Sequence, residues 1–289
     1  MTPTNAEFWQ WRQEAENENT SGDRLAELAQ ISNELARIVA KNPNAPTEVL
    51  LKLGARFPQQ LLDNPIFSLL FQEKQNLVDE IPFYTLYSLC TLEKIPVYLQ
   101  EQLMQPQNLR LREEVAWHWN TSANILEWLA LDNDAKVRWK VAWNRNTSAS
   151  ILEWLALDND VEVRERVAKN SNTPASILEL LAKYNYAGVR GAVAHNSNIP
   201  ASILELLAKY NYAGVRGAVA HNSNIPASIL ELLAKDNDAW VRGAVARNSN
   251  IPASILELLA KDIDANVRWS AIDNLKTKEN SIDSNSLTS

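Results

Sequence analysis

The sequence has little of several residue types, and each shortage excludes a class of protein. Only one of its 289 residues is a cysteine, Cys90, which excludes an internal disulfide and any zinc or iron–sulfur site built on cysteines. Seven glycines leave little room for glycine-rich phosphate loops. Its apolar runs fall short of the ~20 residues that a membrane-spanning helix needs, and its start lacks the apolar core of a signal peptide. We therefore expect a cytoplasmic protein with no membrane partner.

Positive charge is also scarce. The chain carries 28 Lys and Arg against 35 Asp and Glu, a net charge of −7 at pH 7. An acidic chain is a poor general ligand for phosphate backbones, which require a basic face. Nucleic acid is therefore not the partner we expect first. What the sequence has in excess is tryptophan, with ten residues.

A tandem repeat of 26 residues dominates the chain. A seventh, partial copy begins at Ala271 and stops after Lys276. We expect four regions: an N-terminal helical cap over 1–38, degenerate helical repeats over 39–114, regular repeats over 115–276 and a disordered polar tail over 277–289. The six complete copies begin at Val115, Val141, Val167, Val193, Val219 and Val245.

Each repeat, numbered from its first Val, predicts two short helices. Positions 8–17 carry apolar residues at 11, 12, 14 and 15, which is typical of a helix; Pro suits its first turn, and Ser254 with Glu257 fits a capping box. In most copies an acidic turn follows, and its second Asp can cap a shorter helix from position 21 to position 3 of the next copy. The chain shows no period-two alternation, so we expect no strands. Helices this short are unstable alone, so the copies must stack.

The repeat that starts at Val245, VARNSNIPASILELLAKDIDANVRWS, carries the motifs N-x-N-x-P, I-L-x-x-L-A and D-x-D-x-x-V-R. It resembles the leucine-rich repeat variant (LRV) family over 115–276 and, more loosely, over 39–114. Some members carry a cysteine-rich iron–sulfur module, which Cys90 alone does not match. The last motif is also similar to HEAT-type repeats, including those of enzymes that attach bilin pigments. The resemblance implies an all-α, right-handed superhelical α-solenoid of paired short α- or 3₁₀-helices, and a binding scaffold without a named ligand.

Positions that never change among the copies point to the scaffold. Position 24 is always Arg, and we expect it to pair with the turn Asp six residues earlier or with helix-end carbonyls, although a ladder of anion-binding guanidinium groups is the alternative. On this reasoning Arg190 and Arg216, whose turns read YNY, lose their acidic partners. Asn at positions 4 and 6 suits turn chemistry. The invariant arginines are Arg138, Arg164, Arg190, Arg216, Arg242 and Arg268.

Positions that vary among the copies point to the surface. Positions 25 and 3 lie four apart on the second helix and hold residues from Gly to Trp, so we expect them to face solvent or a partner. Trp128 and Trp154 replace a Leu that we expect in the core. The predicted protein-binding residues are Trp139, Trp143, Tyr184, Tyr186, His195, Tyr210, Tyr212, His221, Trp240 and Arg247.

The leading interpretation is a non-enzymatic scaffold that binds a protein or peptide, with no cofactor and no catalytic residue. His195 and His221 could share a metal, but they lack an obvious third ligand, so no metal is expected. One alternative is a HEAT-like lyase or chaperone acting on a pigment-bearing protein, which rests on fold analogy alone. The other is nucleic-acid binding by a basic and aromatic patch: Trp117, His118, Trp119, Lys136, Arg138, Trp139, Lys140, Trp143 and Arg145.

Overall fold

The computed structural model describes residues 4–74, 77–103 and 105–286. Within these ranges all regular structure is helical and no strand is present, which confirms the predicted fold class. The chain divides into two compact parts, Met1–Val141 and Ala142–Ser289, which we call the N-terminal unit and the C-terminal unit. Each is a stack of short helices.

The N-terminal unit begins with three helices where two were predicted for the cap, because Ser32 ends one helix and caps the next: its hydroxyl accepts a hydrogen bond from Leu35 N. A 3₁₀ turn, Pro106–Asn108, precedes α10. The helices are α1 (Asn5–Glu16), α2 (Gly22–Ile31), α3 (Asn33–Val39), α4 (Thr47–Leu53), α5 (Pro58–Asp63), α6 (Pro65–Glu73), α7 (Leu77–Glu80), α8 (Phe83–Leu89), α9 (Val97–Leu103), α10 (Leu109–Trp117) and α11 (Ala123–Leu129).

The regular repeats alternate a first helix over positions 9–15 with a second helix over positions 21–3. Helix α12 (Ala135–Trp143) contains the boundary between the two units. The helices that follow are α13 (Ala149–Leu155), α14 (Val161–Lys169), α15 (Ala175–Leu181), α16 (Ala187–His195), α17 (Ala201–Ala208), α18 (Ala213–His221), α19 (Ala227–Leu233), α20 (Ala239–Ala246), α21 (Ala253–Leu259) and α22 (Ala265–Ser286).

The second helix begins where it was predicted, but the relative lengths of the two helices are reversed. Asp160 caps α14 by accepting hydrogen bonds from the backbone N–H groups of Glu162 and Val163. The first helix is the shorter one, because Pro at position 8 is its extended N-cap and Ala at position 16 ends it. The predicted capping box is therefore wrong: Ser254 lies inside α21, and Pro252 provides no side-chain cap.

Apolar side chains at positions 11, 12, 15, 23 and 1 form the core of the C-terminal unit. In the copy that starts at Val219 these are Ile229, Leu230, Leu233 and Val241, with Val245 from the start of the next copy, all buried. Burial of each such side chain is worth about 1.5–3 kcal/mol. Position 14 does not belong to this core, because its side chain points away from the neighbouring second helices.

Second helices pack directly on one another, so that α14, α16, α18, α20 and α22 follow in an unbroken row. The first helices α15, α17, α19 and α21 each pack between the second helices that precede and follow them in the chain. Every helix therefore depends on its neighbours for burial, which is the defining property of a solenoid.

Asparagine at position 4 joins neighbouring repeats. The Nδ2 of Asn222 donates to the carbonyl oxygens of Ala194 and Asn196 in the preceding repeat, at 2.6 and 3.1 Å, while its Oδ1 accepts from Asn224 N at 2.7 Å. The turn role predicted for this residue is confirmed, and the bonds to the preceding repeat are a second role that the sequence did not reveal. The same pair of donations recurs for Asn170, Asn196, Asn248 and Asn274.

The invariant arginine bonds to two repeats at once. Arg242 donates through Nη1 to the carbonyl oxygen of Asp236, six residues earlier, at 2.7 Å. Its Nε and Nη2 hold the carboxylate of Asp262, 20 residues later, at 2.7 and 2.9 Å. The predicted carbonyl bond is confirmed, whereas the predicted carboxylate partner is wrong, because stacking brings the next repeat's turn over the guanidinium group. Arg216 holds Asp236 in the same way.

This geometry changes which arginines meet a tyrosine in place of an acid. The Arg164 guanidinium lies 4.9 Å from the Tyr184 ring centroid, and that of Arg190 lies 4.1 Å from the Tyr210 ring. Arg190 also donates to the Tyr210 hydroxyl. Arg216, which was expected to lose its acid, keeps one. Cation–π contacts thus replace ion pairs at these two steps.

The C-terminal segment differs from its prediction. Residues 277–286, expected to be disordered, continue α22, since no Pro or Gly interrupts it. Lys278 Nζ donates to Ser249 O at 2.8 Å, which fixes the start of this extension to the preceding repeat. Residues 287–289 of the predicted tail lie outside the described residues.

Candidate protein-interaction surface

The row of second helices in the C-terminal unit presents one continuous face to solvent. We call it the second-helix face; it consists of the side chains at positions 22, 25 and 3. Positions 23, 1 and 2 of the same helices point into the core, so the face is what remains exposed. Five predicted binding residues lie on it, all exposed: Trp143, His195, His221, Trp240 and Arg247.

One end of the face is a cavity with three cations around a tryptophan. The Arg166 guanidinium lies 4.1 Å from the ring centroid of Trp143, which is 43% exposed. Arg145 and Lys169 complete the charged wall of a cavity of about 250 Å³. Burial lowers the pKa of Arg166, although a guanidinium stays charged at neutral pH. We call this the cation cavity; it is lined by Trp143, Arg145, Arg166, Lys169, Asn170 and Ser171.

A second cavity, of about 590 Å³, follows the first along the face, and Lys169 borders both. Its floor contains Gly188, Gly191 and Ala192. Apart from the glycine's chain neighbours and its helix's own backbone, no atom lies within 4 Å of where a Cβ on Gly191 would stand. The absence of a side chain there keeps this part of the face open.

In the next repeat the equivalent glycine, Gly217, is covered by a tryptophan ring. A Cβ added to Gly217 would overlap the six-membered ring of Trp240, so this glycine allows the Trp240 ring to lie against α18. The His221 ring lies 6.3 Å from that of Trp240 and 6.5 Å from that of His195. Burial, and after it the nearby Arg247 and His195 side chains, lowers the pKa of His221. Another side chain therefore closely approaches the helical glycine at Gly217 and not at Gly191.

The four predicted tyrosines divide into two pairs. Tyr184 and Tyr210, at position 18, are half-buried under arginines and contribute to stacking. Tyr186 and Tyr212, at position 20, are exposed. Tyr212, the N-cap of α18, packs beside Gly214 of that helix. Only the second pair offers free aromatic surface.

Trp139, the remaining predicted binding residue, lies in the N-terminal unit. It is half-buried and stacks on Trp117 with 3° between the ring planes and 6.3 Å between centroids. Two cations of the predicted nucleic-acid patch are held within the fold. Lys140 pairs with Glu113 at 2.8 Å, and Arg138 donates to the Asp132 carbonyl oxygen at 2.7 Å.

The first helices carry a second exposed row, which the sequence analysis misassigned. Trp154 was expected in the core but is 52% exposed, and Trp128 is half-buried. The apolar stripe read from positions 11, 12, 14 and 15 is wider than the side of the helix that the neighbours cover. The other exposed residues at position 14 are Leu180, Leu206, Leu232 and Leu258.

Arg166 is the residue that the sequence analysis missed. It occupies position 26, which holds Lys140, then Arg166, and then Ala in the next three copies. The change from Ala to a cation was a detectable signal. The structure adds what the sequence could not: that this cation, which lies with Lys169 on α14, meets Trp143 at the end of α12.

The chemistry of reactive side chains is limited over the described residues. No group of three His, Cys, Asp or Glu there could hold a metal ion. Cys90 is buried, and burial raises the pKa of its thiol to about 12. No helix among these residues is long and apolar enough to cross a membrane.

No protein-family model and no curated protein matches this sequence. Among solved structures, one described as "a leucine-rich repeat variant with a novel repetitive protein structural motif" is similar, with a TM-score of 0.50 and 23% identity over 78% of this chain and 84% of that one. An engineered protein aligns over 95% and 97% of the two chains with a TM-score of 0.33 and 15% identity. The first likeness confirms the predicted LRV-type helical solenoid at the level of the fold.

Proposed function

We propose that this protein is a non-enzymatic interaction scaffold that binds a peptide or a protein segment along the second-helix face. One observation carries the proposal. Trp143 and Trp240 are 43% and 50% exposed at positions where other copies carry Lys, His or Gly, so stacking does not require an indole there. Large exposed aromatic side chains are the typical anchors of protein interfaces.

The arrangement of the helices supports the same proposal. Second helices that pack directly on one another form a surface that runs across several repeats, and solenoids bind extended partners along such surfaces. The open floor at Gly191 lies between the two tryptophans along the row of repeats. A bound segment could therefore contact both anchors.

The proposal contains no catalytic step and no nucleic acid. A buried thiol with a raised pKa, as in Cys90, is a poor nucleophile. The cations Arg138 and Lys140 of the basic patch already bond within the fold, which weakens their attraction for phosphate. These contacts favour the peptide scaffold over the two alternatives.

Trp154 provides a matched control, because it is as exposed as the two anchors but lies on a first helix. A random peptide library would be selected against the immobilised full chain, and the affinity of enriched peptides measured for Trp143→Ala, Trp240→Ala and Trp154→Ala. We expect either of the first two variants to weaken binding about thirtyfold, as loss of an interface anchor worth about 2 kcal/mol does. Trp154→Ala should bind like the wild type.

The opposite pattern would place the partner on the first-helix row and would end the proposal. So would a selection in which no peptide is enriched above an empty surface. Circular dichroism of each variant establishes that the helices are intact before affinities are compared.

A further inference from the structure

The last second helix, α22, has an uncovered side that the preceding second helices lack. Each of those helices is followed by another in the row, and the alanine at position 2 is buried, as in Ala194, Ala220 and Ala246. The same position in α22 holds Ile272, which is 42% exposed. Among the residues that the structure describes, no further second helix follows α22. A position that stacking buries in the other repeats therefore carries a large apolar side chain in contact with solvent here.

The invariant arginine of this repeat also lacks a partner that it has in the preceding repeats. Arg216 and Arg242 hold a carboxylate of the next repeat through Nε and Nη2. Arg268 donates through Nη1 to the carbonyl oxygens of Asp262 and Ile263, at 2.7 and 2.9 Å, but it forms no ion pair with a carboxylate of the described chain. The edge of this guanidinium group that binds an acid in other repeats can therefore accept one from another molecule.

These two side chains belong to a stripe along α22 that ends in an acid. Arg268, Ile272, Leu275 and Glu279 follow one another at spacings of four, three and four residues, which places them on one side of a helix. Asn274, which donates to the preceding repeat at 2.9 and 3.0 Å, lies on another side, so the four residues face away from the stack. Leu275 is half-buried, and Glu279 is exposed on the part of α22 that continues beyond the last repeat. We call these four residues the α22 stripe.

The α22 stripe is complementary to itself when two copies lie antiparallel. The pairs Arg268–Glu279 and Ile272–Leu275 share one midpoint, between residues 273 and 274. A two-fold axis at that midpoint brings Arg268 of each copy to Glu279 of the other, and Ile272 of each copy to Leu275 of the other. A parallel pairing in the same register would instead oppose like charges, which is unfavourable.

We infer that the protein forms a two-fold symmetric dimer through the α22 stripe. The pairing continues, across the axis, the row in which second helices pack directly on one another. It also gives Arg268 a carboxylate in place of the one that the next repeat supplies to Arg216 and Arg242. The dimer goes beyond the proposed function, because the α22 stripe is not part of the second-helix face. A contact made mainly by one helix from each copy is small, so we expect a dissociation constant on the order of 10 μM.

Sedimentation equilibrium of the full chain, at concentrations below and above that constant, tests the dimer. Each substitution acts twice in a two-fold interface. Glu279→Arg opposes like charges at both ends of the α22 stripe and should weaken the dimer at least about tenfold. Ile272→Ala installs the residue that the other copies carry at position 2, so it suits the fold, and it should weaken the dimer about tenfold by removing apolar contact.

Glu257→Arg is the matched control, because it makes the same change of charge at an exposed residue of the first helix α21. It should dimerise like the wild type. A loss equal to that of Glu279→Arg would mean that net charge alone governs association, and would overturn the inference. Circular dichroism establishes that the helices of each variant are intact.

A charge exchange gives the sharpest test of the pairing. Arg268→Glu and Glu279→Arg each oppose like charges within their own homodimer, whereas one copy of each variant is complementary at both ends of the α22 stripe. We therefore expect an equimolar mixture to form a heterodimer at least about tenfold tighter than either homodimer. Sedimentation of one fluorescently labelled variant in the presence of the other, unlabelled variant measures it.

Three results overturn the inference. The first is a wild-type chain that stays monomeric well above the expected dissociation constant. The second is a dimer that Glu279→Arg and Ile272→Ala leave unchanged, or folded charge-exchange variants that do not associate when mixed. The third is a mass that keeps rising beyond that of a dimer, because an open head-to-tail contact, and not a closed two-fold interface, produces such growth.

Discussion

The two units use the same side-chain amide to join their repeats, but they differ in regularity. In the C-terminal unit successive asparagines at position 4, such as Asn196 and Asn222, are 26 residues apart. In the N-terminal unit Asn42 and Asn64 are 22 apart. Asn64 nevertheless donates to two carbonyl oxygens of the preceding turn at 3.1 and 3.0 Å, as Asn222 does.

This difference in repeat length shows which part of the repeat is needed for stacking. The length of a repeat can change by several residues when the loops absorb the difference, because the buried amide still reaches the same backbone groups. A carbonyl buried in a turn needs a donor whatever the length of the repeat. A buried turn amide therefore recurs in both units where regular spacing does not, although the copy that starts at Val115 carries His118 at position 4.

Replacing the asparagine side chain that joins neighbouring repeats should have the largest effect on stability. Asn222→Ala removes the donor of two buried carbonyl oxygens, each of which costs about 1–3 kcal/mol when unsatisfied, so we expect a loss of about 3 kcal/mol. Asn64→Ala should cost a similar amount if the degenerate repeats follow the same rule. Urea denaturation followed by circular dichroism measures both.

Asn224 is the control for this pair of variants. It lies on the surface and donates a single bond to Ser197 O at 2.9 Å, so Asn224→Ala should cost less than about 1 kcal/mol. A negligible effect of Asn64→Ala beside a large one of Asn222→Ala would break the comparison and show that the N-terminal unit is held by other contacts.

Replacing the partners of the invariant arginines should have the next largest effect on stability. Asp236 is largely buried beside Arg216 at 2.6 Å, so Asp236→Asn should cost about 2 kcal/mol by leaving a partly buried guanidinium without its counterion. Tyr210→Phe, at the step where a ring replaces the acid, removes only a neutral acceptor from Arg190 and should cost about 1 kcal/mol or less. Equal losses would mean that the ion pair adds nothing beyond the cation–π contact.

The pH dependence of the unfolding free energy distinguishes the Arg216–Asp236 ion pair from the Arg190–Tyr210 contact. Burial opposes ionisation of Asp236, but hydrogen bonds from Arg216 and from Asp238 N outweigh it and lower its pKa. A lowered pKa means that the pair contributes fully above the ordinary Asp value of about 3.9 and loses its contribution as the pH falls through the folded-state value. The gap in unfolding free energy between the wild type and Asp236→Asn should therefore close at acidic pH, while that of Tyr210→Phe should not change.

Local chemistry within one repeat could be predicted from the sequence, and stacking could not. The start of α14 followed from Asp160, whose cap depends on its own neighbours. The partner of Arg242 did not: one Asp lies six residues before it and another 20 residues after it, and only stacking decides that Asp262 supplies the carboxylate. Both carboxylates are present in the sequence, and the one closer to Arg242 along the chain is not its partner.

The candidate surface shows the same limit. An exposed position 3 followed from its variation among copies, and Trp143 and His195 are exposed. Helical periodicity, however, cannot say how wide a stripe the neighbours cover, which is why Trp154 was misassigned. The cation cavity joins positions 3, 5 and 26 of adjacent repeats, a combination that exists only after stacking.

The smallest expected effect also gives the sharpest comparison, because Gly191 and Gly217 are equivalent residues with opposite surroundings. Neither has a positive φ, so alanine at Gly191, where space is open, should stabilise its helix by about 0.5–1 kcal/mol. Alanine at Gly217 collides with the ring of Trp240 and should destabilise by about 1 kcal/mol. In a Trp240→Ala background Gly217→Ala should become stabilising, like Gly191→Ala, and thermal unfolding of the four variants measures this change of sign. If Gly217→Ala destabilises equally with and without the indole, the ring does not lie on α18, and Trp240 cannot serve as the fixed anchor of the second-helix face.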